Sequence, residues 1–303
     1  MRDTFAAELL AAARLDPRIM FLTGDLGFGV FETLAKELPE QYLNVGIAEQ
    51  NMVAVATGLA LEGNIVFTYS IGNFPVLRCL EQIRNDAAYH AANVKVVSVG
   101  GGFSYGPLGM SHHATEDIAI MRAIPEIESF IPGTKGEVST ALKQIIDHQG
   151  TCYLRLDKSV GTDNDTELEI HPGPWNALRN GADITLVGCG GIVGELQEAA
   201  VSLEAQGISA RVVSAVRVPV EAEDVVSALG TPPIVITVEE HVISGGIGGL
   251  VAEAIADLGV QKRLIRLGIR GVFVSEVGSQ RYLRRQIGID GPSLVKVASA
   301  ALA

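Results

Sequence analysis

Apolar residues recur at helical spacing in some stretches of the chain and run without interruption in others, and the two patterns alternate. Phe5, Leu9, Leu10 and Ala13 fall near one helical face, with Asp3 or Thr4 placed to cap it. Pro17 stops that helix before the apolar run Ile19, Met20, Phe21 and Leu22, which reads as a strand. The same alternation predicts further strands over 42–45, 65–69, 94–99, 127–131 and 152–156. Helices are predicted over 48–61, through Leu80, Ile83 and Ala87, over 117–123 and over 137–146. Strands this uniformly apolar, separated by helices, imply a mostly parallel sheet covered on both faces. The periodic pattern lapses after residue 156, where Asp157, Asp163, Asp165, Glu167, Glu169, Pro172, Pro174, Asn176 and Asn180 read as a linker. A second unit follows, with strands expected over 184–187, 210–216, 234–238 and 264–267 and helices over 195–204, 223–229 and 250–258. The expected architecture is α/β throughout: two three-layer domains with mostly parallel sheets, residues 1–165 and 181–303, joined by a linker over 166–180.

Composition narrows the function classes. The 303 residues are 48% hydrophobic and 19% charged, enough apolar material for two cores and far from a disordered chain. Lys and Arg number 23 against 35 acids, a net charge of −12, which argues against a nucleic-acid surface. Cys79, Cys152 and Cys189 lie far apart with no Cys-x-x-Cys spacing, so a disulfide framework or zinc knuckle is not indicated and a reducing compartment fits. The first residues place acids where a signal peptide would be apolar, and the apolar runs elsewhere are too short and glycine-broken to span a bilayer. A cytoplasmic protein without membrane partners is expected.

Several motifs bear on chemistry. Gly245-Gly246-Ile247-Gly248-Gly249, between a strand and a helix, fits either a tight turn or a phosphate loop; its spacing is not Gly-x-Gly-x-x-Gly and no P-loop lysine follows, which favours the turn. Glu49 sits in the first turn of a helix opened by Gly46-Ile47-Ala48, where the helix dipole favours a carboxylate. Gly100 through His113 form a long glycine-rich loop at a strand's carboxyl end, the place where open α/β sheets bind ligands. It ends in His112 and His113, which lack a cysteine or acidic cluster beside them; they suit acid–base or hydrogen-bonding work better than metal ligation, and no metal ligand is assigned. Arg155 ends an apolar strand, where its guanidinium suits a phosphate or carboxylate clamp and a cross-domain salt bridge equally. Phe74 reads as a core aromatic by position alone.

Taken together, Asn44-Val45-Gly46-Ile47-Ala48-Glu49-Gln50, Leu80-Glu81-Gln82-Ile83-Arg84 and Ser111-His112-His113-Ala114-Thr115-Glu116-Asp117 resemble the transketolase family of thiamine-diphosphate enzymes. Gly181-Ala182-Asp183-Ile184-Thr185 and Thr237-Val238-Glu239-Glu240-His241 through Gly248 resemble that family's C-terminal domain, so the resemblance covers essentially the whole chain, in the form of the C-terminal half that split transketolases encode separately. The resemblance implies a pyrimidine-binding domain in which Glu49 bonds the aminopyrimidine of thiamine diphosphate and favours its imino form, whose nitrogen deprotonates the thiazolium carbon. It implies Phe74 stacked on the pyrimidine, Ile71 in a wall that is often aromatic in the family, and Asp25 and Leu26 as cofactor contacts at the end of the first strand. It implies His112 facing the substrate carbons, His113 near the substrate and Arg155 on the substrate phosphate.

Departures from the family pattern shape the rest of the expectation. Leu108 stands where an acidic residue is common and Gly100 where a phosphate-binding histidine is often found, with Tyr105 and His113 as candidate replacements. Neither Gly24-Asp25-Leu26 nor Asp290-Gly291-Pro292 matches the Gly-Asp-Gly…Asn segment that binds the diphosphate through Mg²⁺. The resemblance therefore implies an N-terminal, diphosphate-binding partner subunit, two copies of each chain in a heterotetramer, an active site at their interface, and transfer of a two-carbon ketol unit between sugars or sugar phosphates. The beta subunit of a 2-oxo-acid dehydrogenase, a 1-deoxyxylulose-5-phosphate-synthase-like enzyme and a non-enzymatic subunit are the alternatives.

Overall fold

The computed structural model describes residues 1–162 and 173–303; residues 166–172 of the expected linker lie outside the described residues. In chain order the first part runs α1 (Arg2–Ala13), β1 (Ile19–Thr23), α2 (Glu32–Glu37), β2 (Tyr42–Asn44), α3 (Glu49–Leu61), β3 (Ile65–Ile71), β4 (Val94–Val99), α4 (Asp117–Ala123), β5 (Glu128–Phe130), α5 (Lys135–Asp147) and β6 (Cys152–Leu156). The second part runs β7 (Trp175–Arg179), β8 (Ile184–Gly188), α6 (Val193–Glu204), β9 (Ala210–Ala215), β10 (Arg217–Val218), α7 (Ala222–Leu229), β11 (Ile234–Val242), α8 (Ile247–Asp257), β12 (Arg263–Ile269), α9 (Gln280–Gln286) and α10 (Gly291–Leu302).

The first sheet has the order β10-β5-β6-β4-β3-β1-β2, parallel except for β10, which pairs antiparallel with β5. The chain thus moves from β1 outward to β2 and returns to the other side of β1 as β3, which opens a crevice at the carboxyl ends of β1 and β3. The second sheet, β12-β11-β8-β9-β7, is parallel apart from β7 and has its own crevice between β8 and β11. Two mostly parallel α/β sheets match the expected architecture. Phe5, Phe21, Phe31, Phe67 and Tyr69 interlock on one face of the first sheet, with the Phe21 and Phe31 rings 4.3 Å apart, and each buried aromatic contributes about 1.5–3 kcal/mol.

Three local expectations change. Helix α1 begins at Arg2 with Met1 at its cap position and no side-chain cap hydrogen bond, so neither Asp3 nor Thr4 caps it. The segment read as an α-helix through Leu80, Ile83 and Ala87 is instead two π-helical pieces, Phe74–Arg78 and Gln82–Ala88; apolar spacing alone does not separate the wider turn from the α turn. Trp175–Arg179, inside the stretch read as linker, is a strand paired with β9, which its Pro and Asn neighbours obscured.

The two sheets meet tightly. The crevice of the second domain is filled by the first: Gly190 N donates to Ile131 O at 3.0 Å, Gly191 N to Asp157 Oδ2 at 2.6 Å, and Phe103 N to Glu240 Oε1 at 2.5 Å. Glu240 also receives both Arg284 Nε at 2.7 Å and Arg284 Nη2 at 2.6 Å. The crevice between β1 and β3 takes no part in these contacts.

Candidate functional site

Four chain segments converge at the β1/β3 crevice. After β1, Gly24, Asp25 and Leu26 form a turn in which Asp25 takes φ 58°, stabilised by Asp25 N donating to Asn44 Oδ1 at 3.0 Å, Asn44 Nδ2 donating to Asp25 Oδ1 at 3.1 Å, and Thr23 Oγ1 donating to Leu26 O at 2.9 Å. After β2, α3 begins at Glu49, whose side chain folds inward and is 3% exposed. Gly24 lies beneath it: a Cβ at Gly24 would come within 3.8 Å of the Glu49 side chain.

After β3, Ile71 closes the strand and the π-helical turn presents Phe74 and Arg78 on the same side. Arg78 Nη1 donates to Glu49 Oε2 at 2.7 Å, and the guanidinium carbon lies 4.7 Å from the Phe74 ring centroid. Among the described residues Glu49 Oε1 has a single long contact, Ser70 Oγ at 3.4 Å. Burial first, and then the Glu49 charge, push the neighbouring Cys79 thiol up to about 12, so it stays neutral.

The fourth segment is the loop after β4. Gly72 (φ 53°) allows the close approach, since a Cβ there would stand 3.0 Å from His112 O. His112 packs edge-on to Phe74 with ring centroids 5.1 Å apart, lies 6.5 Å from the Tyr105 ring, and has Nδ1 3.0 Å from Ser111 Oγ. Glu49, Arg78, Phe74 and His112 therefore form one continuous chain of contacts, with Ile71, Asp25 and Leu26 on the flanking turns. A half-buried aromatic, an acid with one scarcely engaged oxygen and a half-buried imidazole suit an aromatic ring bearing a hydrogen-bonding nitrogen next to a polar substrate.

His113 and Arg155 are placed differently from the sequence expectation. His113 is 3% exposed and turned inward against Phe103, with ring centroids 5.1 Å apart; burial lowers its imidazole below the usual range, and Nε2 has no partner among the described residues. It supports the loop from within instead of facing the crevice. Arg155 is 1% exposed, with Nε 3.1 Å from Asp117 Oδ2, and Nη2 donates to Ala114 O at 3.2 Å and Glu240 O at 3.3 Å. Although burial opposes the charge, Asp117 and Asp157 hold this guanidinium protonated above its ordinary value. These contacts match the cross-domain alternative, and the side chain is turned into the domain junction, away from the crevice mouth.

The Gly100 position is also accounted for: the Tyr105 ring occupies the space that a side chain there would take. Lys158 Nζ lies 3.7 Å from the Tyr105 ring centroid, and these two residues, with Arg2, Asp3 and Asp157, line a cavity of about 230 Å³ beyond His112. The glycines at 245–249 form a turn, not a phosphate loop, because Glu239 already occupies the amides at the α8 N-terminus: Ile247 N and Gly248 N donate to its two oxygens at 2.8 and 3.1 Å. Among the described residues no group of three or more His, Cys, Asp and Glu side chains is arranged to hold a metal ion.

Sequence reasoning passed over Arg78, Ser70 and Asn73, whose Nδ2 donates to His113 O at 3.2 Å. The available signal for Arg78 was a lone cation four residues after Phe74 in an otherwise apolar run.

Comparisons with known proteins bear on the chain as a whole. Residues 1–162 match the family described as transketolase, pyrimidine binding domain, and residues 173–294 match transketolase, C-terminal domain. One of the subunits of the apulose-4-phosphate transketolase of Actinobacillus succinogenes is 38% identical over 265 residues, covering 87% of this chain and 85% of that protein. The 6-deoxy-6-sulfo-D-fructose transketolase subunit SqwH of a Clostridium species is 34% identical over 301 residues, covering 98% and 93%. A solved structure described as a split gene transketolase, inactive beta4 tetramer, superposes with a TM-score of 0.85 at 32% identity, covering 99% of this chain and 97% of that one.

Proposed function

This chain belongs to the transketolase family, as a subunit of a split transketolase, and from that premise we propose that it transfers a two-carbon ketol unit from a ketose to an aldose in complex with a partner that holds the diphosphate and Mg²⁺. Thiamine diphosphate, when bound, supplies the carbon nucleophile through its thiazolium ring. The observation that supports this reading most is the junction of Glu49, Phe74 and His112 in one contact chain at the mouth of the β1/β3 crevice.

Within that reading each residue has a physical task. Glu49 offers Oε1 to the pyrimidine ring nitrogen and holds the proton exchanged there. Phe74 and Ile71 form its apolar walls, and the Asp25–Leu26 turn borders it. His112, with Nδ1 next to Ser111, uses Nε2 to hydrogen-bond and exchange a proton with the oxygens of the sugar as charge develops on them. Lys158 beside the Tyr105 cavity, where Arg2 is already paired with Asp3, suits an anionic terminus of that sugar, the kind of group carried by the phosphate and sulfonate sugars for which two relatives are named. Arg155 and His113 position the loop from beneath.

Exposed apolar residues flank the site residues along the chain: Ile47 is 79% exposed shortly before Glu49, Leu77 47% just before Arg78, and Leu108 56% and Met110 53% shortly before His112. Such a surface suits a docked protein. We assign it to the N-terminal partner subunit, with two copies of each chain in the assembly and the active site between them. Three free, buried cysteines suit a reducing compartment, the cytoplasm.

Glu49→Gln tests the assignment. With folding intact, turnover of a ketose donor by the reconstituted complex falls by about 10²- to 10⁴-fold. Near-normal turnover by that variant overturns the role given to Glu49, and carbon dioxide release from pyruvate would instead identify a synthase.

A further inference from the structure

Arg78 stands inside the contact chain without an assigned task. Glu49 is almost wholly buried, and a carboxylate removed from water is unfavourable unless a cation or several donors meet it. Among the described residues no other cation lies within ion-pair distance of Glu49; its remaining neighbours are the Ser70 hydroxyl and the neutral Cys79 thiol. The Arg78 guanidinium is half exposed, but it is held from both sides, by the Glu49 oxygen and by the Phe74 ring. A planar guanidinium stacks on an aromatic face and donates from its edge at once, which an ammonium does less well. The pair is also one-sided. Arg78 takes Oε2 alone, so among the described residues Oε1 keeps only the 3.4 Å Ser70 contact.

We infer that Arg78 is the positioning residue of Glu49: it neutralises the buried carboxylate and fixes its rotation, so that Oε1 is the oxygen presented to the cofactor ring. This rests on the reading of Glu49 given above. It predicts that substituting Arg78 acts through Glu49, and that the wide π turn, which brings residues 74 and 78 to the same side, is part of the site and not only of the fold.

The test is a double-mutant cycle on the full chain, followed by cofactor binding in the reconstituted complex. In urea unfolding, Arg78→Met lowers the midpoint of the wild-type chain, whereas in a Glu49→Gln background the same substitution changes it little. In the complex, the near-ultraviolet circular dichroism induced by bound thiamine diphosphate is titrated with the cofactor. Arg78→Met weakens binding by about 10- to 100-fold, the range for losing a hydrogen bond to a buried charge, and Arg78→Lys recovers part of it. Equal effects of Arg78→Met in both unfolding backgrounds, or unchanged cofactor affinity, overturn the inference. Absence of a cofactor signal in the wild-type complex overturns the functional reading instead, and the unfolding cycle still decides whether Arg78 and Glu49 act as a pair.

Discussion

Replacing Arg155 with methionine separates two tasks that differ in every measurable consequence. Methionine keeps much of the apolar stem but removes the cation shared by Asp117, 3.1 Å away, and Asp157, 3.9 Å away, both of them buried. It also removes the donor that joins Ala114 O of the first domain to Glu240 O of the second. Removing one partner of a buried ion pair costs about 3–5 kcal/mol, because the remaining charge has neither water nor counterion. With an unfolding entropy of about 2.1 cal/mol/K per residue, a chain of this length then loses roughly 5–8 °C in Tm if the domains unfold together. Differential scanning calorimetry reads that shift. The complementary assay compares kcat/KM of the reconstituted enzyme for a phosphorylated aldose and its unphosphorylated counterpart. A domain clamp lowers both alike. A phosphate ligand would lower only the phosphorylated one, by about 10- to 150-fold for a lost charged hydrogen bond. An unchanged Tm together with a loss confined to the phosphorylated acceptor refutes the clamp.

Other expectations concern His112 and Glu239. His112→Ala lowers turnover by about 10²-fold or more with little change in cofactor affinity, read by steady-state kinetics beside a binding titration; a loss confined to cofactor affinity contradicts its task at the substrate. Burial raises the Glu239 carboxyl from 4.5 to about 7, against the lowering pull of the Gly248 and Ile247 amides. The unfolded chain therefore releases this proton before the folded chain does, so the group's stabilising contribution is complete below pH 4.5 and is lost as pH rises to about 7. Glu239→Gln removes that slope: relative to the variant, the wild type loses roughly 3 kcal/mol between those limits in urea unfolding, and parallel pH profiles would show that Glu239 does not titrate there.

Most of the strands and several of the helices were legible because a buried strand is a short apolar run and a covering helix such as α5 carries a 3.6-residue apolar stripe, whereas α2, β7, β10, α9 and α10 were not read from the sequence. The π turn at Phe74–Arg78 was not, since its apolar spacing is close to that of an α-helix, and Arg78 was overlooked with it. The grouping of Glu49 with His112 could not be derived from periodicity, because they are 63 positions apart in sequence and come together only through the strand order β4-β3-β1-β2, with Arg78 and Phe74 between them. It became visible in the sequence through motif resemblance. Arg155 and His113 show the limit of that route: a motif position names a residue, whereas burial decides which way it faces. The glycine cluster at 245–249, whose spacing already favoured a turn over a phosphate loop, has its amides taken by Glu239, six residues upstream of the first glycine, a partner that the spacing does not reveal.

The most direct test is a calorimetric titration of thiamine diphosphate with Mg²⁺ into this chain alone and into its mixture with an N-terminal, diphosphate-binding transketolase subunit. The proposed division of the cofactor site between this chain and a partner predicts binding only in the mixture. Tight binding to the isolated chain, or none in either case, would contradict that division.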